Sequence, residues 1–505
     1  MYDQNHLAQS LSNGAANNLN TCFLQAGEQG DAVSYAEFYA RSEQMAAALV
    51  AAGLAPGDRV AAQIDKTVTA LELYMGTILA GGVFLPLNTA YTIKELEYFC
   101  GDAEPKLVAC DPSRKDAIQH MVGPTITVWS IASDGSGDAA NARDQQTPGF
   151  EVVPREASDL AAFLYTSGTT GQPKGAMLSH GNLASNASTL ASAWQYTADD
   201  CLIHALPIFH IHGLFVAVNI TLATGASLIY MKKYQPQAVT EAMTQASVLM
   251  GVPTFYTRLL DYDGFTSDAA KSMRLFVSGS APLLAETHRQ FEHRTGHRIL
   301  ERYGMTETGM MSSNPYEGER LAGTVGKPLP GITMRVADNN GLQVPQGERG
   351  VVEVKGPNVF QGYWKKPEKT AEDFRDDGFF ITGDIGLIDD KGYLNIVGRA
   401  KDLIISGGLN VYPKEIESLL DDLEGVKESA VIGVPHPDFG EAVVAVLVSH
   451  DSNHPTSEAI MAQIKHDLAK FKQPKALFWV TDLPRNTMAK VQKNVLRDQY
   501  ADLYS

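Results

Sequence analysis

A loop of small and hydroxyl-bearing residues ends in a single lysine at residues 165–175. It reads Tyr-Thr-Ser-Gly-Thr-Thr-Gly-Gln-Pro-Lys-Gly and follows an apolar stretch of strand length, residues 160–164. Glycines let backbone N–H groups turn toward one anion, hydroxyls add donors, and the lysine adds positive charge. This is the composition of a phosphate cradle, although the P-loop spacing is absent and a flexible surface turn is an equally acceptable interpretation. The candidate phosphate ligands are Thr166, Ser167, Gly168, Thr169, Thr170, Gly171 and Lys174.

A second motif, Tyr303-Gly-Met-Thr-Glu307, stands where a predicted strand ends. Ligand contacts in an open α/β sheet collect at the ends of strands. The Glu307 carboxylate could bind a hard cation such as Mg2+, and the Thr306 hydroxyl could donate to a phosphate. A helix cap is the alternative, and for a Thr-Glu pair considered alone it is the more common one.

Three further polar residues could serve an anionic substrate. Asp384, which follows the pair Thr-Gly, could accept two ribose hydroxyls or could form an Asx-turn. Arg399 could meet a phosphate or a ribose, or could form a surface ion pair. Lys490 ends a loop that contains Pro and Asn, where its charge could stabilise a developing oxyanion, but an isolated surface lysine is usually only solvated.

The elements that must position these residues change in character along the chain. The first 300 residues alternate strand-like and helix-like segments, for example strands at residues 202–205 and 227–231 with a helix at residues 213–223 between them. This alternation predicts an α/β fold with doubly wound, mostly parallel sheets. Short strands separated by Gly, Asp and Asn turns begin near Gly323 and predict a small β-barrel-like subdomain. After residue 398, one helix followed by strands predicts a compact α+β domain. We therefore predict a large domain over residues 1–398 and a small domain over residues 399–505.

Composition restricts the class of protein. A chain of 505 residues is too long for a single hydrophobic core, so two or more domains are expected. Its content of 44% hydrophobic and 20% charged residues is ordinary for a globular protein. A net charge of −17 argues against nucleic acid and anionic membranes as partners. The four cysteines form no CxxC pair, and the N-terminus lacks the pattern of a signal peptide. We expect a cytoplasmic protein that acts on small molecules.

The order and spacing of these motifs resemble those of the adenylate-forming superfamily, which includes acyl-CoA synthetases and luciferases. The resemblance covers nearly the whole chain. It implies ATP, Mg2+ and coenzyme A as the cofactors, with the first loop cradling the ATP phosphates and with Thr166 and Glu307 at the metal. Beyond that loop, the residues it assigns to the nucleotide and to the thioester site are Glu301, Tyr303, Gly304, Met305, Asp384, Arg399, Gly407 and Gly408.

The resemblance also implies a reaction in two steps. A carboxylate attacks the α-phosphate of ATP to give an acyl-adenylate and pyrophosphate, and the CoA thiol then displaces AMP. Both steps build negative charge on oxygen, which fixed cations and N–H donors stabilise. Lys401 corresponds to the hinge of a mobile C-terminal domain. A regulatory enzyme that modified Lys490 would remove the positive charge needed in the first step. The implied catalytic residues are Lys490, Thr306, Glu307 and His210.

Within the superfamily the chain is most similar to malonyl-CoA synthetases, in segments such as residues 204–215 and 301–320. This similarity implies malonate as the acid, with Arg258 and Ser278 holding its distal carboxylate near His210. A guanidinium placed for two carboxylate bonds rejects acetate or a fatty acid, which would leave it unpaired. The alternative is an acyl-CoA synthetase for a monocarboxylic acid, with Arg258 paired internally. Considered without the similarity, Arg258 is expected to face solvent or an acidic neighbour.

Two departures from that group concern specificity and rate. Ile211 stands where malonyl-CoA synthetases carry Thr, so malonate and methylmalonate stay open as preferred substrates. Ala489 replaces the usual Gly before the catalytic lysine, and its Cβ disfavours a positive φ.

Overall fold

The computed structural model describes residues 1–26, 32–166, 173–407, 409–450, 454–465, 467–486 and 490–504. Fifteen described strands build two large, mostly parallel sheets. In chain order they are β1 (Cys22–Ala26), β2 (Ala32–Ser34), β3 (Arg59–Gln63), β4 (Val83–Pro86), β5 (Leu107–Cys110), β6 (Thr127–Ser130), β7 (Leu160–Thr166), β8 (Lys174–Ser179), β9 (Cys201–His204), β10 (Ser227–Tyr230), β11 (Val248–Gly251), β12 (Leu275–Ser278), β13 (Leu300–Met305), β14 (Gly309–Ser313) and β15 (Lys327–Pro328).

The first sheet has the strand order β6-β5-β3-β4-β7-β8, and the second has β15-β14-β13-β12-β11-β9-β10-β1-β2. Within the second sheet, β9 pairs in parallel with β10 and β11, and β12 pairs in parallel with β11 and β13. Parallel strands bring their carboxyl ends to the same edge. That edge therefore collects the segments that follow His204, Gly251, Ser278 and Met305.

Helices cover these sheets and lie beyond them. They are α1 (His6–Ser12), α2 (Tyr35–Ala51), α3 (Val68–Leu79), α4 (Ile93–Ala103), α5 (Lys115–Val122), α6 (Asp138–Asp144), α7 (His180–Ala193), α8 (Asn219–Thr224), α9 (Pro236–Ala242), α10 (Pro253–Leu260), α11 (Ala285–Thr295), α12 (Pro367–Glu372), α13 (Pro413–Asp421), α14 (Ser457–Ile464) and α15 (Lys493–Gln499). Short 3-10 turns occupy Pro112–Arg114, Met243–Gln245 and Ala400–Asp402, and a π-helical turn occupies His212–Val218.

Local sequence explains where the key helices begin. The Thr67 hydroxyl accepts the backbone N–H of Ala70 and so caps α3, and the following twelve residues are almost all buried. A capping box formed by Ser179 and Asn182 starts α7 directly after β8. Among the described helices, none is long and apolar enough to cross a membrane.

Two smaller sheets complete the fold. The strands β16 (Thr333–Ala337), β17 (Gly350–Lys355), β18 (Phe380–Ile388) and β19 (Leu394–Arg399) form an antiparallel sheet in that order, in the region predicted to be barrel-like. The strands β20 (Ile404–Ser406), β21 (Leu409–Val411), β22 (Val426–His436), β23 (Gly440–Ser449) and β24 (Ala476–Val480) form the C-terminal sheet. Alternate residues of β22 and β23 feed two separate apolar clusters, one on each face. The prediction of a mixed α/β chain with a small C-terminal α+β unit is confirmed.

Two local predictions are corrected. Thr306 and Glu307 lie in the turn between β13 and β14, which pair as an antiparallel hairpin, so the helix-cap interpretation is wrong. The helix predicted from Gly213 begins instead with a π-helical turn that continues into α8. Turns of this kind are frequent at functional sites.

Candidate active site

The described ends of the phosphate-cradle loop face each other across the β7–β8 pair. Thr166 and Lys174 are register partners, and the Thr166 hydroxyl lies 3.4 Å from the Lys174 carbonyl oxygen. The Lys174 amino group lies 4.6 Å from the centre of the Tyr363 ring, within the range of a cation–π contact. The predicted ligands Ser167, Gly168, Thr169, Thr170 and Gly171, together with Gly408 and Ala489, lie outside the described residues.

Glu307 is buried beside this loop. The Tyr363 hydroxyl donates to its Oε1 at 3.2 Å, and the same Tyr363 ring contacts Lys174. Burial raises the pKa of Glu307, while the charges of Arg399 and Lys174 act in the opposite direction. Within the described residues no group of three or more His, Cys, Asp or Glu side chains could hold a metal. Mg2+ usually takes one or two carboxylates and completes its shell with phosphate and water, which a single Glu307 fits.

Asp384 links two of the predicted ligands. It lies within β18, opposite Arg399 on β19, and the two side chains form an ion pair with Nε 2.8 Å from Oδ1. The hydroxyl of Tyr303 donates to the other carboxylate oxygen. Burial, and then the Asp384 charge, raise the pKa of Tyr303 well above its ordinary value. The Asx-turn interpretation is wrong, and the trio presents an aromatic ring, a carboxylate and a guanidinium side by side.

Lys490 reaches this group from the C-terminal domain. Its backbone N–H donates to the Asn486 side chain at 3.0 Å, which closes the loop that carries it. Crowding by protein atoms, followed by repulsion from Arg399 and Arg302, lowers the pKa of Lys490 to about 8. The Lys490 side chain is nevertheless exposed to solvent. Burial, and then the positive charge of Lys490, lower the pKa of His210 to about 3.

A buried pocket of polar atoms lies next to Lys490. Arg302 on β13 is 3% exposed, and its guanidinium packs against Gly279, where an added Cβ would meet its central carbon at 2.4 Å. His212 feels the charge of Arg302, and its Nδ1 lies 3.3 Å from the Ser280 hydroxyl. Buried atoms in the described structure that have no hydrogen-bond partner include Nε and Nη2 of Arg302, Oγ of Ser278, and Nε2 of both His210 and His212.

Arg302, His212 and Ser280 were not predicted to be site residues. Residues 300–302 are all buried, so β13 lacks the alternation that would mark an inward-facing arginine. The available signal was an arginine inside a strand-like segment immediately before the Tyr-Gly-Met-Thr-Glu motif.

Other predicted residues lie elsewhere. Arg258 is exposed on α10, where its charge acts on Tyr234. Ile211 is half-buried and lines a small cavity with Phe215, Asn186 and Asn358. Glu301 is buried with its Oε1 3.7 Å from His288 Nδ1.

The glycines and the predicted hinge also have defined places. A Cβ on Gly304 would approach the Gly309 carbonyl oxygen to 2.1 Å, so the β13–β14 hairpin requires glycine there. Gly407 has φ of +59° between β20 and β21. Met305 is half-buried at the end of β13, and Lys401 is exposed in the turn before β20.

Comparisons with known proteins agree with this geometry. Residues 12–364 match the AMP-binding enzyme family, and residues 415–490 match the AMP-binding enzyme C-terminal domain. The chain is 34% identical over 464 residues to a malonate–CoA ligase of Arabidopsis thaliana, which covers 84% of this chain and 75% of that protein.

Two solved structures of one relative cover 99% of this chain and 100% of their own, at 55% identity. ATP-bound MatB from Rhodopseudomonas palustris superposes with a TM-score of 0.97. The apo form of the same protein superposes with a TM-score of 0.85. The arrangement described above is therefore more similar to the ATP-bound form.

Proposed function

The chain belongs to the AMP-binding enzyme family, and we propose from this premise that it is an AMP-forming acid–thiol ligase that joins malonate to coenzyme A. ATP and coenzyme A are its other substrates, and Mg2+ assists the first step. The acid is the most specific part of the proposal, and it is supported by one feature of the pocket.

The buried guanidinium of Arg302 carries that assignment. A charge removed from water is unfavourable unless it is paired, and burial here lowers the pKa of Arg302 to about 9. Two of its nitrogens nevertheless have no partner within the described structure. A ligand carboxylate can accept from both, in the bidentate geometry that arginine favours. The unpartnered Ser278 hydroxyl and the two histidines offer further bonds to the same anion.

This pocket selects an acid with two carboxylates. One carboxylate must be free to react, so the group held by Arg302 is a second one. A monocarboxylic acid of similar length would leave the guanidinium unpaired, and discrimination of this kind is strong because buried polar groups are penalised when they lose a partner. Arg258, which the sequence predicted for this role, is exposed, and we propose it only as a residue at the pocket entrance.

In the first step a reacting carboxylate oxygen of malonate attacks the α-phosphorus of ATP, and the bond to pyrophosphate breaks. Lys490 stands beside Asp384, Arg399, Arg302 and Glu307, where its ammonium stabilises the charge of the reacting oxygens. Thr306, in the turn beside Glu307, donates to a phosphate. When bound, Mg2+ would be held by Glu307 with the Thr166 hydroxyl nearby and would neutralise phosphate charge.

The nucleoside end of ATP would use the Tyr303, Asp384 and Arg399 group. The Asp384 carboxylate accepts ribose hydroxyls, and the Tyr303 ring lies against the base.

In the second step the thiol sulfur of coenzyme A attacks the malonyl carbonyl carbon, AMP leaves with the bonding electron pair, and the thiol proton passes to solvent. We place the hinge for the C-terminal domain at Lys401. Lys490 is exposed, so a lysine-modifying enzyme can reach it and neutralise its charge.

A substrate panel tests the proposal. The purified enzyme is supplied with ATP, Mg2+ and coenzyme A, and AMP release is measured with malonate, methylmalonate, acetate and octanoate. We expect malonate to exceed acetate and octanoate by about 100-fold or more in kcat/KM. Equal rates with the monocarboxylic acids would support the alternative acyl-CoA synthetase and contradict the malonate assignment.

A further inference from the structure

Lys66 is a buried cation outside the reacting site. It is 9% exposed and immediately precedes Thr67, the N-cap of α3. A positive charge is unfavourable both in the interior and at the start of a helix. Within the described part of the chain, no carboxylate lies at ion-pair distance from it. Its amino group instead contacts His204 twice and lies 4.5 Å from the centre of the Tyr230 ring.

The two bonds to His204 determine how that ring is protonated. The Lys66 amino group lies 2.6 Å from His204 Nδ1 and 2.6 Å from the His204 carbonyl oxygen. Burial lowers the pKa of Lys66 well below its ordinary value, yet even a neutral amine keeps the two N–H donors that these bonds need. Burial and Lys66 also hold the pKa of His204 well below its ordinary value, so the ring is neutral. Its Nδ1 accepts, and its proton is on Nε2.

His204 Nε2 donates that proton to the Gly213 carbonyl oxygen at 2.7 Å. The bond joins the two ends of the segment 204–213, which carries His210, Ile211 and His212. The segment also packs tightly within itself, since an added Cβ on Gly213 would lie 2.0 Å from the Pro207 carbonyl oxygen. The π-helical turn that holds His212 begins at this point.

We propose that Lys66 is a positioning residue that fixes the acyl pocket through His204. By donating to Nδ1 it selects the tautomer that clamps Gly213, and the clamp places His212 beside Arg302 and His210 near Lys490. The inference rests on the proposed function only for the identity of the acid. The clamp itself is a property of the fold, so the two are tested separately.

Hydrogen exchange tests the clamp without any substrate. Lys66→Met keeps the chain length of the side chain but removes its donors. We expect amide exchange in residues 205–218 to be about ten-fold faster in this variant. Glu72→Gln is the matched control, because Glu72 is a buried charged residue of α3 that pairs with Arg143 instead. It should leave exchange in residues 205–218 unchanged, and a Lys66→Met pattern equal to that of wild type would overturn the proposal.

A pair of substitutions at His204 tests the same clamp even if Lys66→Met does not fold. The amide nitrogen of Gln can reach the position of Nε2 and donate to Gly213, whereas the shorter Asn cannot. We expect His204→Asn to raise KM for malonate about ten-fold with KM for ATP within about two-fold, and His204→Gln to stay within about three-fold of wild type. Equal effects of the two changes, or a parallel loss of ATP affinity, would contradict a positioning role.

Failure of the two proposals gives different results. If wild type uses acetate as well as malonate, the proposed function is wrong, while the exchange result still decides the clamp. If wild type selects malonate but Lys66→Met and His204→Asn leave both exchange and KM unchanged, only the positioning role is wrong.

Discussion

Burial, followed by charges from the strands β13, β18 and β19 and from the turn after β13, sets the protonation of Lys490. Arg399 and Arg302 disfavour its ammonium form, while Asp384 and Glu307 favour it. The proposed first step needs the ammonium form of Lys490, which is present below its pKa of about 8 and lost above it. The residue is therefore charged at neutral pH but close to its titration range, as is common at catalytic positions.

We predict that ATP–pyrophosphate exchange with malonate falls as the pH rises through about 8. Arginine at this position stays charged, so Lys490→Arg should move the alkaline limb to higher pH. Lys490→Ala should abolish exchange yet spare thioester formation from preformed malonyl-adenylate. The measurement is a pH profile of each half-reaction, and an exchange profile that is flat through pH 9 would show that Lys490 is not the titrating group.

The sequence predicted the proposed nucleotide ligands more completely than the residues of the proposed acyl pocket. Glu307, Asp384, Arg399 and Lys490 belong to short motifs, and the structure brings them together. Arg302 and His212 have no such motif, and their role depends on packing between distant strands and the π-helical turn. The role of Arg258 was implied by the similarity to malonyl-CoA synthetases, whereas the structure exposes that arginine to solvent on α10.

At the scale of elements, the β13–β14 hairpin carries residues of both proposed substrate sites. Arg302 and Tyr303 lie on β13, and Glu307 lies in the turn that follows it. One strand and its turn therefore contribute to the proposed acyl pocket, the proposed nucleoside site and the proposed metal site. The hairpin closes tightly at Gly304, where the strands show a register shift. Periodicity predicted most strands of the parallel sheets, because continuous apolar runs mark buried strands. It could not predict a hairpin at 306–308 or a π-helical turn, which arise from tertiary packing.

Gly304→Ala should destabilise the protein by about 2 kcal/mol or more, because its Cβ would overlap the Gly309 carbonyl. Gly101→Ala is the matched control. Gly101 lies in α4 with no atom near its Cβ position, so alanine there should stabilise by about 0.5–1 kcal/mol. Denaturant titration of both variants measures the free energies of unfolding. A Gly304→Ala variant as stable as wild type would contradict the described hairpin.

At the scale of the whole molecule, the site is complete only because the C-terminal domain brings Lys490 to the N-terminal residues. Ion pairs also link the two parts: Arg349 with Glu415 at 3.1 Å, and Arg289 with Asp422 at 3.5 Å. Exposed pairs of this kind contribute about 0–1 kcal/mol each. Such weak links are compatible with a domain that changes its orientation, and the relative's ATP-bound and apo structures, with TM-scores of 0.97 and 0.85, differ in their fit to this chain.

The ratio of kcat/KM for malonate to that for acetate, in wild type and in Arg302→Gln, tests the central claim most directly. Arg258→Ala is the control, since it removes an exposed arginine from α10. Loss of a charged partner from a buried ion pair costs about 2–5 kcal/mol. We predict that Arg302→Gln lowers the ratio by about 100-fold or more and that Arg258→Ala changes it by less than about five-fold. An unchanged ratio in Arg302→Gln, with a large loss in Arg258→Ala, would contradict Arg302 as the residue that binds the second carboxylate.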